Sequence, residues 1–291
     1  MSMNKLRKPE WLKANRLGNE QANKVRQYLS KFNLHTVCNS ARCPNQGECF
    51  NRGTATFMIL GEVCTRNCRF CAVEKNKPLL TPDPLEPLHI AELSKELKLK
   101  HIVVTTVTRD DLPDGGASQF VKVLEAIQET CPSSVTTETL ISDLDGNWDA
   151  LQTIIDARPT VLNHNVETIS RLYPEVRPMA DYYRSLELLR KVNEINPEII
   201  TKSGLMVGLG ETEAEVKHLL DDLYDHHVQI VTIGQYLQPS RDHIPVKEYV
   251  HPDVFEIYRK YGEELGFIFV ESGPLVRSSY HAERIQQYIT K

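Results

Sequence analysis

The stretch with the most chemical content is CTRNCRFC, which places thiols at Cys64, Cys68 and Cys71. Three and then two residues separate them, so one short loop gathers three soft ligands. Three thiolates hold a four-iron, four-sulfur cluster and leave one iron without a protein ligand, free to bind an outside molecule instead of only passing electrons. The alternatives for such a triplet are a zinc site, part of a disulfide framework, or packing of a residue type that is often buried. A structural zinc needs four ligands, and no further Cys or His follows Cys71 at short spacing. Seven Cys in a chain without a secretory h-region argue for a reducing compartment and against disulfides.

A second triplet lies just upstream. CNSARCPNQGEC puts Cys38, Cys43 and Cys49 at C-x4-C-x5-C, so six of the seven thiols fall into two sets. That is too ordered an allocation for packing alone, and a second iron-sulfur cluster is the simplest account, against a zinc knuckle or redox pair. Cys131 ends a predicted helix before Pro132 and reads as structural.

The elements that must position these thiols are legible from periodicity. Residues 1–53 are polar and uneven, with one short helix expected from about 18 to 32. From Thr54 onward short apolar runs alternate with amphipathic ones. Strands are expected at residues 56–62, 101–107, 135–140, 161–166, 201–209 and 229–233. Helices are expected near 88–98, 117–130, 147–157, 180–195, 212–226 and 253–265. This (β/α)6 series fits an α/β fold, either a partial barrel or an open doubly wound sheet, and periodicity does not separate the two. Both put chemistry at the carboxyl ends of the strands, and CTRNCRFC follows directly on the first strand. The Pro-rich piece at residues 77–87 reads as a stiff connection.

The 291 residues, 41% hydrophobic and 25% charged, suit a large globular unit. A net charge of −5 and a pI near 6.1 argue against general nucleic-acid binding. The basic stretch with Lys5, Arg7, Lys8, Lys13 and Arg16 reads as a solvated face that could touch an acidic partner. No apolar run approaches the roughly 18 residues of a membrane span. A cytoplasmic location is expected.

C-x3-C-x2-C with Phe70 before the last Cys resembles the signature of the radical S-adenosylmethionine (radical SAM) enzymes. In that family the open iron chelates the amino and carboxylate groups of SAM, and the reduced cluster cleaves the sulfonium to a 5′-deoxyadenosyl radical. With C-x4-C-x5-C and the near-terminal RSSY at residues 277–280, the chain closely resembles the lipoyl synthase family, from Trp11 to the last helix. HTVCNSARCPN, VTTVTRDDLPDGG, NHNVET, KSGLMVGLGET and GQYLQPS carry the same likeness without a departure. The resemblance favours a partial (β/α)6 TIM-like barrel over residues 54–266. An N-terminal extension, 1–53, would carry the auxiliary-cluster cysteines, and a C-terminal extension, 267–291, would carry RSSY.

The resemblance further implies a sulfurtransferase that uses SAM and two 4Fe-4S clusters. Sulfur would be inserted at C6 and C8 of an octanoyl chain on a carrier lysine, with the auxiliary cluster consumed as donor and SAM cleaved to 5′-deoxyadenosine and methionine. A methylene C–H has no acidity for a base to exploit, so a radical cofactor must supply the reactivity while the protein positions and excludes water. The implied partners are octanoylated lipoyl-carrier domains, such as those of 2-oxoacid dehydrogenase E2 components and the glycine cleavage H protein. An electron donor such as ferredoxin or flavodoxin is also implied, with no nucleic acid and no membrane. In the family a serine of RSSY completes the auxiliary cluster; Ser279 is assigned, with Ser278 the alternative. An oxygen ligand is harder than thiolate and should leave readily. Without the resemblance, RSSY reads as a polar helix start with a capping Ser.

Other candidates follow from position. Asn163 and Asn165 lie two apart on one expected strand and face the same way, which suits hydrogen bonding to SAM. Glu138 would accept from ribose hydroxyls, and Arg177 and Lys202 are candidate partners of SAM's carboxylate, each against a structural hydrogen bond or ion pair. Arg109, Asp110 and Asp111 follow the second strand and belong to the rim. Gly115, Gly116, Gly204, Gly208 and Gly210 serve turns and close packing, with no phosphate-loop pattern. His226 and His227 read as a helix end. Two other readings remain at this point: a radical SAM sulfur-inserter acting on a biotin precursor or a tRNA base, and a two-cluster electron carrier. The first would not use RSSY as a ligand, and the second would need four protein ligands at each cluster.

Overall fold

A computed structural model of the chain describes residues 7–13, 20–41, 43–51, 56–77 and 79–289. Lys5, Arg16 and the expected helix start at Gly18 lie outside the described residues, as does the 53/54 boundary. The strands in chain order are β1 His35–Thr36, β2 Thr56–Ile59, β3 Val63–Cys64, β4 Glu74–Lys75, β5 His101–Thr106, β6 Thr136–Leu140, β7 Val161–Asn163, β8 Ile200–Val207, β9 Ile230–Gln235 and β10 Phe269–Gly273.

Eight of these form one sheet in the order β1-β2-β5-β6-β7-β8-β9-β10, and β3 and β4 make a separate two-stranded ribbon. β1 is antiparallel to β2, and every pair from β2 to β10 is parallel. Strand order follows chain order, and β1 and β10 end the sheet without pairing with each other. The sheet is therefore a partial TIM-like barrel with one open side. Its strands are nearly continuous apolar or β-branched runs because helices cover the outer face and side chains fill the inner one; β9 is buried along its whole length.

The covering helices bury one stripe each. Ala117–Thr130 buries Ala117, Phe120, Val123, Leu124 and Ile127, the three-to-four-residue spacing of one helical face. Glu213–Asp225 starts from a capping box in which the Thr212 hydroxyl accepts from the Glu215 amide and the Glu215 carboxylate returns the contact. The first region packs onto the barrel through Val25, Leu29 and Phe50, which join the main core.

Periodicity places all six expected strands to within a few residues. Four strands go beyond it, the β3–β4 ribbon and the two sheet edges β1 and β10. β10 was not expected: only Val270 of its five residues is buried, so the segment lacks an apolar run. β1 is two residues long and too short for any pattern. β7 ends at Asn163, so Asn165 stands beyond the strand on the rim.

After β10 the chain turns back across the open side. The Val276 amide donates to the Gly273 carbonyl, 3.0 Å, and the segment ends in the turn Ala282–Ile285, whose Ile285 packs with Val161 and Ile230. Those two residues open β7 and β9, so Ile285 stoppers the floor of the barrel. Gln286 then donates to the Lys100 carbonyl just before β5, 2.6 Å. This terminal strap, residues 274–285, runs from mouth to floor. It lies so close to β9 that a Cβ on Gly234 would stand 2.1 Å from the Val276 carbonyl oxygen.

Gly234→Ala is expected to destabilise the fold by about 1–3 kcal/mol, as overpacking does. Amide hydrogen exchange should rise selectively across residues 269–285, and a protection pattern there equal to wild type would contradict the close approach.

Candidate active site

At the end of β2, Leu60 and Gly61 both have positive φ, +67° and +88°, and turn the chain outward over the rim. The cysteine loop that follows is pinned at nearly every residue. Arg66, 4% exposed, sends Nε and Nη2 to the two oxygens of Asp110, at 2.8 and 2.9 Å, and Nη1 to Asp143 Oδ1 at 2.6 Å. Burial opposes the charge on Arg66, but the two carboxylates outweigh it and raise its pKa. The same pairing holds the fully buried Asp143 below the usual carboxylate range against its own burial. Lys75 Nζ donates to the carbonyls of Cys68 and Cys71, at 2.7 and 3.0 Å. The Arg69 amide donates to the Val176 carbonyl and the Ile244 amide to the Arg69 carbonyl, at 2.9 and 3.1 Å. His243 Nε2 donates to the Cys71 carbonyl, 3.0 Å. The loop backbone is thus tied to the segments that follow β5, β6, β7 and β9.

The second triplet is shaped by short helices and by the strap. The Thr36 hydroxyl caps Val37–Ser40, the Cys43 amide donates to the Cys38 carbonyl at 3.1 Å, and the Cys49 amide to the Asn45 carbonyl at 2.9 Å. Asn45, itself buried, donates its side-chain amide to the Leu275 carbonyl, 2.6 Å. Tyr280 Oη donates to the Glu48 carboxylate at 3.2 Å. Two staples therefore fasten the N-terminal cysteine segment to the strap.

All six thiols, with Phe70, Asn165, Arg177, Arg277, Ser278 and Ser279, line one cavity of ≈ 1090 Å³. Single small-ligand pockets span about 300–1,000 Å³, so this one has room for more than one bound group. The cysteines are free thiols. Burial pushes Cys71 up to about 12 and Cys38 to about 11, so metal binding would have to displace protons. Among the described residues no three His, Cys, Asp or Glu side chains gather around the place of a single metal ion. Three soft thiolates at each triplet, facing one cavity, are a donor set that fits a four-iron, four-sulfur cluster.

The structure does not bring Glu138, Asn163 and Lys202 to the cavity. Lys202 Nζ lies 2.9 Å from both oxygens of Glu138. His101 Nε2 stands 3.4 Å from Oε2 and Asn163 Nδ2 donates to Oε1 at 2.8 Å. Burial raises the pKa of Glu138, but the Lys202 charge and these hydrogen bonds prevail and lower it to about 2. In place of the contacts with SAM expected of them, Glu138, Asn163 and Lys202 make contacts with one another in this structure and do not line the cavity. Arg177 does reach the cavity, with Nη1 on the carbonyls of Asn165 and Val166 and on Tyr173 Oη, at 3.0, 3.2 and 3.1 Å. Arg109 and Asp111 pair with each other, and Asp110 serves the cysteine loop.

Several residues in or beside the cavity escaped the sequence reading. Arg66, Lys75 and His243 fix the cysteine loop. Glu167 sits at φ +66°, uncommon for a non-glycine residue, and accepts from Asn165 Nδ2 at 3.1 Å; burial raises its pKa against the pull of Arg177. His164 Nδ1 donates to the Ile141 carbonyl, 3.0 Å, and burial with the Arg177 charge lowers its pKa to about 4, so it is neutral at pH 7. The one available signal was the Arg embedded among the cysteines, which needs an acid nearby.

Residues 58–223 match the family model of the Radical SAM superfamily, and residues 1–43 match that of the N-terminal domain of lipoyl synthase of the Radical SAM family. The chain is 56% identical over 278 residues to a lipoyl synthase of Caldanaerobacter subterraneus subsp. tengcongensis, covering 96% of both chains. It is 52% identical over 288 residues to a lipoyl synthase of Caldicellulosiruptor bescii, covering 99% of this chain and 98% of the relative. Among solved structures it is similar in fold to Streptococcus suis SuiB bound to S-adenosylmethionine, with TM-score 0.57 and 12% identity over 86% of this chain and 54% of that one. Methylornithine synthase (PylB) matches with TM-score 0.57 and 13% identity, over 86% of this chain and 81% of that one.

Arg66→Ala, which removes the guanidinium shared by two carboxylates and leaves the buried Asp143 only its ion pair with Arg184, should lower unfolding free energy by about 3 kcal/mol, and Arg66→Lys should recover only part of it because the paired contact to Asp110 needs a guanidinium fork. Denaturant titration checks both. For Glu138 the sign follows from a folded pKa of about 2 against an ordinary 4.5. Its stabilisation is full above 4.5 and is lost as pH falls towards 2. The stability gap between wild type and Glu138→Gln, read from unfolding curves, should narrow over that window; a constant gap would contradict the ion pair.

Proposed function

The chain belongs to the lipoyl synthase family of the radical SAM superfamily, and from that membership we propose that it inserts sulfur at C6 and C8 of an octanoyl chain amide-linked to a lysine of a carrier domain. The observation that carries the reading is that two separate thiol triplets and a serine pair face one cavity. A lone electron carrier has no use for a shared chamber, whereas a reaction joining a carbon to sulfur needs both metal sites beside one substrate.

Cys64, Cys68 and Cys71 would hold the SAM-binding 4Fe-4S cluster, on a backbone that the surrounding segments pin. When bound, that cluster and SAM supply a carbon-centred radical able to take hydrogen from an unactivated C–H bond. The chain's own residues do the rest. Arg177 presents a cation in the cavity wall for SAM's carboxylate, in place of Lys202, which Glu138 occupies. Phe70 sets an aromatic ring within the cysteine loop. Met58, Val103, Leu205 and Met206 give the cavity an apolar wall that suits an alkyl chain and excludes water.

Cys38, Cys43 and Cys49, with Ser279 as fourth ligand, would hold the auxiliary 4Fe-4S cluster, which would serve as the sulfur-donating substrate. The chain is then a sulfurtransferase, and SAM leaves as 5′-deoxyadenosine and methionine. Its partners are octanoylated lipoyl-carrier domains of the 2-oxoacid dehydrogenase E2 and glycine cleavage H type, and a low-potential donor such as ferredoxin or flavodoxin. The site of action is the cytoplasm. No helix among the described residues is long and apolar enough to cross a membrane.

The test is anaerobic reconstitution with iron and sulfide, followed by SAM, a reductant and an octanoyl-lysyl peptide. Wild type should form deoxyadenosine and dithiolated peptide. Cys68→Ala should form neither, while Cys43→Ala should form deoxyadenosine but no thiolated peptide. Dithiolated product from Cys43→Ala would remove the donor role of the second triplet.

A further inference from the structure

The two hydroxyls of RSSY are not equivalent. Ser278 Oγ accepts from Asn163 Nδ2 at 2.9 Å and donates to Asn165 Oδ1 at 3.1 Å. The hydroxyl of Ser279 has no hydrogen-bond partner among the described residues, although it lines the same cavity. The first serine is clasped by the barrel, and the second is left available.

The polarity of that clasp is imposed from inside the wall. Glu138, ionised and paired with Lys202, can only accept, so Asn163 must turn its NH2 group towards it. The second N–H of the same amide then points at Ser278, whose oxygen becomes an acceptor and whose proton is directed to Asn165. The amide of Asn165 in turn donates to Glu167. Asn163 Oδ1 is left buried without a hydrogen-bond partner in this arrangement, so the orientation of the amide is set by its two N–H groups. A fixed charge at one end thus orients every hydrogen bond along the chain to Ser278, and this gives Glu138, Asn163 and Lys202 a purpose other than contact with SAM.

The structure assigns Ser278 the role of a positioning residue: held between Asn163 and Asn165, it fixes the rotation of the strap and leaves Ser279 as the hydroxyl offered to the cluster at Cys38, Cys43 and Cys49. The assignment rests on the reading above that a second cluster binds there. It goes further in stating which residue anchors the strap beside that ligand and what orients the anchor.

The experiment compares wild type, Ser278→Ala, Ser278→Thr and Ser279→Ala, each reconstituted with 57Fe. Three readouts are taken: iron and sulfide content, Mössbauer spectra, and amide exchange of residues 276–280 in the metal-free chain. Ser278→Ala should keep two clusters but take on the altered iron site of Ser279→Ala, and its strap amides should exchange faster. Ser278→Thr, which retains the hydroxyl, should restore the wild-type spectrum. Dithiolation by Ser278→Ala should fall about 10–100-fold, the usual cost of removing a group that orients a metal ligand. Gly204→Ala is a second perturbation, because its Cβ would stand 2.6 Å from Thr232 Oγ1 and 2.8 Å from Asn165 Oδ1 and so presses on that amide without altering either serine; it should shift the spectrum in the same direction. A Ser278→Ala or Gly204→Ala spectrum equal to wild type overturns the positioning role. An altered spectrum for Ser278→Ala with none for Ser279→Ala makes Ser278 the ligand and also overturns it. A wild-type chain that binds iron for only one cluster overturns the second-cluster reading itself, and that outcome is visible before any variant is compared.

Discussion

The arrangement depends first on Arg66. A cluster needs three thiols held in a fixed relation, yet they lie on a loop, the least constrained kind of segment. One guanidinium, inside the cysteine run itself, engages Asp110 after β5 and Asp143 after β6. Such a buried charge group adds little net stability over an apolar substitute, because desolvation offsets most of the attraction. What it supplies is geometry: planar, directional contacts at fixed angles. The cysteine loop is therefore registered to two neighbouring barrel strands at once, and a shift of either strand would be felt at the thiols.

The second constraint is the open side of the barrel. A sheet that stops at β10 without returning to β1 exposes an edge and an interior, and the terminal strap covers both. Its path explains why residues more than 200 positions apart meet. Asn45 and Glu48, from the N-terminal cysteine segment, hold Leu275 and Tyr280, while Ile285 closes the floor. The same strap that seals the barrel therefore brings the serine pair into the cavity that Cys38, Cys43 and Cys49 line. Gly234 is what allows the strap to lie so near β9, since any Cβ there would meet its backbone.

Much of this was legible in the sequence, for a physical reason. Thiol spacing along a loop is local, and so is strand and helix periodicity, so the two triplets and the six βα units could be read directly. β10 could not, because an edge strand with one buried residue has no run to detect. Glu138 and Lys202 both fall within expected strands, but residues on one face of a sheet have two fates, to line a cavity or to neutralise one another. Which applies depends on a partner 64 positions away, and a register of strands is needed to see it.

The serine pair marks that boundary most sharply. Adjacent in sequence and identical in chemistry, Ser278 and Ser279 differ only in what the fold brings against them. Asn163 and Asn165, separated from Ser278 by 115 and 113 positions, meet it because β7 ends where the strap crosses. The spacing of the two asparagines already implied a common direction. What the spacing lacked was the object they face, and that object is supplied by tertiary closure of the barrel, so the difference between the two hydroxyls is a property of the fold and of no shorter segment.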